Sequence, residues 1–253
     1  MSGHQAVGRS VVVIMAKQPA VGRTKTRLCP PLSPVEAAEL YRALLDDTIT
    51  LVSRLRHFRL AVAVTPASAI DAIRPSVPDD AILVPVDGAD LGACLTQATT
   101  HLFGDGFRRV IPLNSDGPTL PSAYLEQAEA LLEQHDVVLG PSEDGGYYLV
   151  GLRHSCPDLF RDIAWSTSRV AAQTMDRAAM LGLSLALLPP WYDVDTPADL
   201  ERLRVEVGHL PPHALACTRR FLTLLEVHRR DDACRDLLGG VDSAGVPLKE
   251  ING

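Results

Sequence analysis

Seven short apolar runs recur along the chain, and amphipathic stretches of helical length lie between most of them. The runs are VVVIMA (11–16), FRLAVAV (58–64), AILVPV (81–86), RRVIPLN (108–114), DVVLG (136–140), YYLVGL (147–152) and LSLALLP (183–189). Runs this short suit buried strands, and strands that alternate with helices are joined most simply as a largely parallel sheet. The first helix is announced by Ser33-Pro34-Val35-Glu36: an N-cap, a proline in the first turn and a glutamate to complete a capping box. Apolar residues then recur at spacings of three and four through AAELYRALLDDTITLVSRL. Thr196-Pro197-Ala198-Asp199 repeats the signal before LERLRVEV. Tyr147–Leu152 follows a Gly-Gly turn too closely for a crossover, so it is expected to run antiparallel.

With 253 residues the chain can bury a substantial core. We expect one domain over 1–208 and a C-terminal helical extension and tail over 209–253, opened by Pro211-Pro212. The apolar residues from Phe221 to Val227 suit an intrachain contact or a homodimer, so monomer and homodimer both stand. The formal charge of −7 argues against nucleic acid or an anionic membrane as partner. Neither a membrane span nor a signal-peptide apolar region is present, because VVVIMA is short and runs into Lys17, and the chain reads as cytoplasmic. The five cysteines (Cys29, Cys94, Cys156, Cys217, Cys234) form no CxxC pair and read as reduced thiols.

Against that acidic background, one loop is basic. Lys17, Arg23, Lys25 and Arg27 stand with Gly22 between the first strand and the first helix. Flexible backbone, cations and a nearby helix N-terminus are what a phosphate group needs, although neither GxxxxGK[ST] nor GxGxxG occurs. Three acidic turns also fall at strand ends, where open α/β sheets bind ligands. NSDGPTLP places Asp116 after the fourth strand, GPSEDGG places Glu143 and Asp144 on a tight turn, and WYDVDTPADL alternates Asp193 and Asp195. Taken singly these also fit a solvated loop, a turn aspartate, a hairpin and helix-start electrostatics. Taken together, one basic loop and three acidic turns make a site for a divalent ion and a nucleotide diphosphate.

In MAKQPAVGRTKTRL, NSDGPTLP, GPSEDGGYYLVGL, IAWSTSRV (163–170) and WYDVDTPADL, in that order, the sequence resembles a bacterial family. These are the nucleotide-diphospho-sugar-transferase-like proteins of glycosyltransferase-A fold, often labelled radical-SAM- or selenodomain-associated transferases. The resemblance covers residues 11 to about 205 and implies an α/β three-layer sandwich with a mostly parallel central sheet. More distantly, the opening loop resembles phospholactate guanylyltransferases, and DTPADL resembles cytidylyltransferases that act on sugar acids or isoprenoid precursors. The resemblance implies nucleotide binding by Ala16, Lys17, Pro19, Gly22, Lys25, Arg27, Asn114, Ser115 and Asp116. It also implies a metal, Mg²⁺ or Mn²⁺, at the positions matching Asp116 and Asp195, and because Asn114-Ser115-Asp116 supplies a single acid, Asp193 joins them as a candidate ligand. On a glycosyl-transfer reading, Asp144, Gly145, Gly146, Tyr147, Tyr148, Trp165, Ser166 and Thr167 would shape the acceptor pocket. Lys25, Arg27, Asp116 and Asp144 would carry the chemistry. One departure is plain: where glycosyltransferases of this fold carry DxD, this chain reads Asn114-Ser115-Asp116.

The expected partners are a nucleotide-activated small-molecule donor and a small acceptor. Glycosyl transfer is the first expectation, with Asp144 as base. Nucleotidyl transfer from an NTP to a phosphate or phosphonate is the alternative, and a non-catalytic nucleotide-binding protein is the second alternative.

Overall fold

The computed structural model describes residues 10–239; the expected tail over the final dozen residues lies outside them. Seven strands form one sheet in the order β3-β2-β1-β4-β6-β5-β7. They are β1 (Ser10–Lys17), β2 (Arg59–Thr65), β3 (Ile82–Pro85), β4 (Arg109–Leu113), β5 (Val137–Pro141), β6 (Tyr147–Leu152) and β7 (Leu185–Leu187). All seven fall within or beside the apolar runs of the sequence. Strand β6 is antiparallel to both β4 and β5, while the remaining pairs are parallel. The fold is therefore α/β with a mostly parallel sheet, as expected.

The helices are α1 (Pro34–Ser53), a single turn α2 (Ile70–Ile73), α3 (Leu91–Gly104), α4 (Ser122–Leu131), α5 (Val170–Met180), α6 (Pro197–His209) and α7 (Ala216–Gly239). An unbroken apolar strand is stable only if both of its faces are covered, and β1 shows how. Val12, Ile14 and Ala16 pack with Leu45, Ile49 and Val52 of α1 and Leu125 and Ala128 of α4. Val11 and Val13 pack on the opposite face with Cys94, Ala98 and Leu102 of α3. Beneath the other half of the sheet, Val137, Leu139, Val150 and Leu152 meet Ala171 and Ala178 of α5. Each fully buried aliphatic side chain contributes roughly 1.5–3 kcal/mol, so these layers supply most of what holds the sheet.

A further apolar cluster lies outside α1. Leu40 and Leu44 of α1 meet Leu200 and Leu203 of α6, Leu222 and Leu225 of α7, and Leu28 and Leu32 from the loop before α1. Helix α1 is thus apolar on two sides, and α6 and α7 cover the side that the sheet does not. Both expected capping boxes form: Ser33 accepts from the Glu36 N–H while Glu36 accepts from the Ser33 N–H, and Thr196 and Asp199 do the same.

The strand order fixes where a site can be. The chain builds outward from β1 to β2 and β3 on one side, then returns to place β4 on the other. The crevice beyond the carboxyl ends of β1 and β4 lies at that reversal. Lys17 ends β1, and Asn114 follows β4.

Candidate active site

The basic loop leaves β1 at Lys17 and is tied down at both ends. Its first residue donates its backbone N–H to the Tyr41 hydroxyl (2.8 Å), and that hydroxyl also bonds the Ser115 Oγ (2.9 Å). Burial pushes the Tyr41 phenol up to about 12, so it stays neutral and keeps both partners. Its last residue, Leu28, is fully buried in the cluster outside α1. Between them, the Ala20 carbonyl accepts from the Arg23 and Thr24 N–H groups and closes a turn. A short 3-10 turn over Thr26–Leu28 follows, with Lys25 before it in the left-handed region (φ 52°).

Lys25 sits at the centre of the crevice. Its Nζ donates to Asp116 Oδ2 and Asp195 Oδ1, each at 2.5 Å, and its side chain is 6% exposed. Burial works against the ammonium charge, but the two carboxylates outweigh it and hold the group above the usual lysine range. Burial alone would raise Asp195, yet Lys25 keeps its carboxyl below the usual carboxylate range. Asp193 goes the other way: burial first, and then the neighbouring Asp116 charge, raise its pKa. Asn114 Nδ2 and Ser142 Oγ both donate to the Asp193 carboxylate.

Backbone bonds bring the three acidic turns together. Val194 N–H donates to the Asp116 carbonyl (3.2 Å), and Trp191 and Ser142 form a bridge beside the end of β5. The segment carrying Asp193 and Asp195 is thereby laid between the turn after β4 and the turn after β5. The two carboxyls of the third turn separate. Glu143 pairs with Arg202 of α6 (2.9 Å), whose guanidinium also lies over the Tyr192 ring (3.7 Å). Asp144 faces a cavity, although its Oδ1 accepts from the Gly146 N–H (2.9 Å).

Two adjoining cavities meet at this point. The first, about 350 Å³, is lined by Lys17, Arg23, Lys25, Arg27, Asn114, Ser115, Asp116, Asp193 and Asp195, with Tyr41, Tyr147 and Tyr148 in its walls. The second, about 820 Å³, has Ala16, Lys17, Arg27, Asp144, Gly146, Tyr147, Trp165, Ser166, Thr167, Asp193 and Asp195 in its lining. Lys17, Arg27, Tyr147, Asp193 and Asp195 thus belong to both. Most of the residues named from the sequence converge here, but three line neither cavity and a fourth lies apart from its expected group. Pro19 and Gly22 line neither cavity; Gly22 (φ 74°) instead supplies the turn that carries the cations round. Gly145 meets another chain segment: a Cβ there would collide with the Ser168 backbone. Tyr148 is a core residue walling the first cavity, its hydroxyl donating to the Pro189 carbonyl (3.0 Å), so it does not sit with the acceptor group.

Other lining residues escaped the sequence reading. Thr65 ends β2, Gly88, Ala89 and Asp90 lie between β3 and α3, and Leu91 opens α3; all five line the second cavity. Their signal was present in VDGADLGACL: a glycine and a capping aspartate between a strand end and a helix start. Asp90 indeed caps α3, accepting from the Ala93 N–H (2.9 Å). Gly92 lets Trp165 lie directly on α3, where a Cβ would reach 2.6 Å from the indole nitrogen. Tyr41 and Ser142 carried no local signal, since each acts on a segment distant in sequence.

Residues 48–167 match the family described as "Uncharacterized protein conserved in bacteria (DUF2064)". The chain is 27% identical over 190 residues to phosphoenolpyruvate guanylyltransferase of Sphaerobacter thermophilus, covering 74% of this chain and 88% of that one. Its fold is shared with a CMP:2-keto-3-deoxy-manno-octonic acid synthetase solved with CTP, at a TM-score of 0.53, 15% identity, and 79% and 98% of the two chains covered. A candidate nucleotide-diphospho-sugar transferase from Desulfovibrio desulfuricans G20 is 30% identical, with a TM-score of 0.77, covering 87% of this chain and 97% of that one. On that identity across nearly the whole of the other chain, this protein belongs to the nucleotide-diphospho-sugar-transferase-like family.

Proposed function

We propose that this protein is a nucleotidyltransferase that joins the nucleoside monophosphate of an NTP to a small acceptor bearing a phosphate or phosphonate, with release of pyrophosphate. The observation that carries the proposal is the first cavity. Four cations, Lys17, Arg23, Lys25 and Arg27, face it together with Asp116 and Asp195. Lys25 is already paired with Asp116 and Asp195, but Lys17, Arg23 and Arg27 form no ion pair among the described residues, and their charges suit the phosphates of an NTP. An acceptor oxygen would attack the α-phosphorus as the bond from that phosphorus to the bridging oxygen breaks, and pyrophosphate would leave against Lys25 and Arg27. A phosphate or phosphonate oxygen is already anionic, so positioning and charge stabilisation suffice without a general base. The guanylyltransferase relative is consistent with this.

The chain's own residues fit a divalent cation. Asp116 and Asp195 present hard oxygen donors that already embrace a positive charge, and Mg²⁺ is commonly held by one or two carboxylates with substrate phosphates completing its shell. When bound there, Mg²⁺ or Mn²⁺ would offset charge on the phosphate oxygens. Asp193, expected from the sequence as a further ligand, would on this reading act beside the ion instead, since its two carboxylate oxygens already accept from Asn114 and Ser142.

Glycosyl transfer from a nucleoside-diphosphate sugar is the second reading, favoured by the candidate sugar transferase relative. It would require Asp144 as base in the second cavity, although one of its oxygens is engaged by its own turn. Purified protein with Mg²⁺ or Mn²⁺ should be offered NTPs and nucleoside-diphosphate sugars with pooled phosphate-bearing and hydroxyl acceptors. Acceptor-dependent pyrophosphate from an NTP is expected; nucleoside diphosphate released only from a sugar donor would overturn the first reading in favour of the second. No described helix is long and apolar enough to cross a membrane. We further propose that the protein acts in the cytoplasm as a monomer or homodimer.

A further inference from the structure

Lys25 is an unusual residue in this chain. Only three of the 24 basic residues are lysines: Lys17, Lys25 and Lys249. Every other ion pair among the described residues uses arginine or histidine. A lysine ammonium is a compact point charge on a flexible stem, whereas guanidinium is a planar fork. A compact charge fits between two converging carboxylates, and a flexible stem can withdraw it. Lys25 Nζ lies 2.5 Å from one oxygen of Asp116 and 2.5 Å from one of Asp195. Those are the carboxylates assigned above to a divalent ion, and the ammonium and the ion compete for them. The backbone at Lys25 adds a second sign of tension. Its φ of 52° is one that residues other than glycine adopt at a cost of roughly 1–2 kcal/mol, so the residue stays there only while something holds it.

We propose that Lys25 is a resident cation that keeps the Asp116–Asp195 pair closed to divalent ions until a nucleotide arrives, so that ion and nucleotide enter together. The proposal rests on the assignment of those two aspartates to a metal. Phosphates seated against Lys17, Arg23 and Arg27, which line the same cavity, would give the ammonium other oxygens to bind. Lys25 would then pass from the carboxylates to the phosphates, and its former partners would be free for the ion.

The test is Mn²⁺ binding without nucleotide, read by electron paramagnetic resonance on the full chain and on Lys25→Gln, each checked for folding by circular dichroism. Lys25→Gln is expected to bind Mn²⁺ at least about tenfold more tightly than the unaltered protein. Because removing a buried charge could unfold the variant, a second measurement uses the unaltered chain. Labelled with ¹³C,¹⁵N-lysine it contains only three lysines to assign, and the Lys25 side-chain signal should move with Mg²⁺ plus a non-hydrolysable NTP analogue but not with Mg²⁺ alone. Mn²⁺ binding as tight in the unaltered protein as in folded Lys25→Gln, or a Lys25 signal displaced by Mg²⁺ alone, would overturn the resident-cation role and leave the metal assignment standing. If neither protein binds Mn²⁺ and metal-free protein still releases pyrophosphate from an NTP, the metal assignment itself falls, and this proposal with it.

Discussion

Tyr41 links two halves of the site that are far apart in sequence. From α1 it holds the Lys17 N–H at the end of β1 and the Ser115 hydroxyl beside Asp116, and it is itself buried. Tyr41→Phe removes one oxygen and leaves a backbone donor and a hydroxyl without their shared partner. Stranding buried polar groups costs about 1–3 kcal/mol. We therefore expect that loss of stability in urea unfolding, with an accompanying fall in turnover because the basic loop loses its tether to Asp116; unchanged stability would show that the hydroxyl bears no such load. Gly140 makes a steric counterpart. A Cβ there would stand 2.4 Å from Tyr148 Cζ, and Tyr148 is itself fixed by the Pro189 carbonyl. Gly140→Ala should cost about 1–3 kcal/mol as an overpacked core site, measured by the same unfolding experiment. Neither contact was readable from the sequence, because Tyr41 falls on the apolar stripe of an ordinary amphipathic helix and Gly140 merely ends a strand.

At the level of elements, what was legible follows from local physics. The strands were visible because buried parallel strands must be continuously apolar, and the starts of α1 and α6 because capping boxes are short-range. Other features depend on partners brought together only by the fold. Asp47, in the middle of α1, accepts from the backbone N–H groups of Cys217 (3.2 Å) and Thr218 (2.7 Å) and so caps α7 from 170 residues away in sequence. It is buried, 4% exposed, and no pattern in α1 marks it out. The first turn of a helix leaves its N–H groups without intrahelical partners, and a carboxylate there offsets both the missing bonds and the positive end of the helix dipole. Asp47→Ala should cost about 1–3 kcal/mol and speed hydrogen exchange at the amides of Cys217 and Thr218, while those of β1 and β4 change only with global stability. Exchange at the two α7 amides no faster than in the unaltered protein would show that α7 is held by its Leu222 and Leu225 contacts alone.

For the whole molecule, the site exists because the sheet reverses its direction of growth between β1 and β4, and because antiparallel β6 returns the chain beside β4. The sequence displayed the four chemical segments and their order, but not the strand order that gathers them, which depends on long-range pairings such as Val12 with Ile111. Nor did it display the ion pair from Lys25 to Asp195, whose partners are separated by 170 positions. Once gathered, the segments make a prediction about the protein as a whole. A ligand that binds only the folded chain stabilises it by mass action, by about 2.7 kcal/mol at a hundred times its Kd, and for a chain of this size each kcal/mol raises Tm by roughly 2–4 °C. An NTP with Mg²⁺ at that excess should therefore raise Tm by roughly 5–10 °C. Arg27→Ala should weaken that rise at a fixed NTP concentration, since Arg27 faces both cavities and forms no ion pair among the described residues. Because its side chain is exposed, the same substitution should leave the ligand-free Tm nearly unchanged. A thermal shift produced by sugar nucleotides and not by any NTP would instead place the diphosphate of a sugar donor against the basic loop, and would make glycosyl transfer the better account of the same four cations.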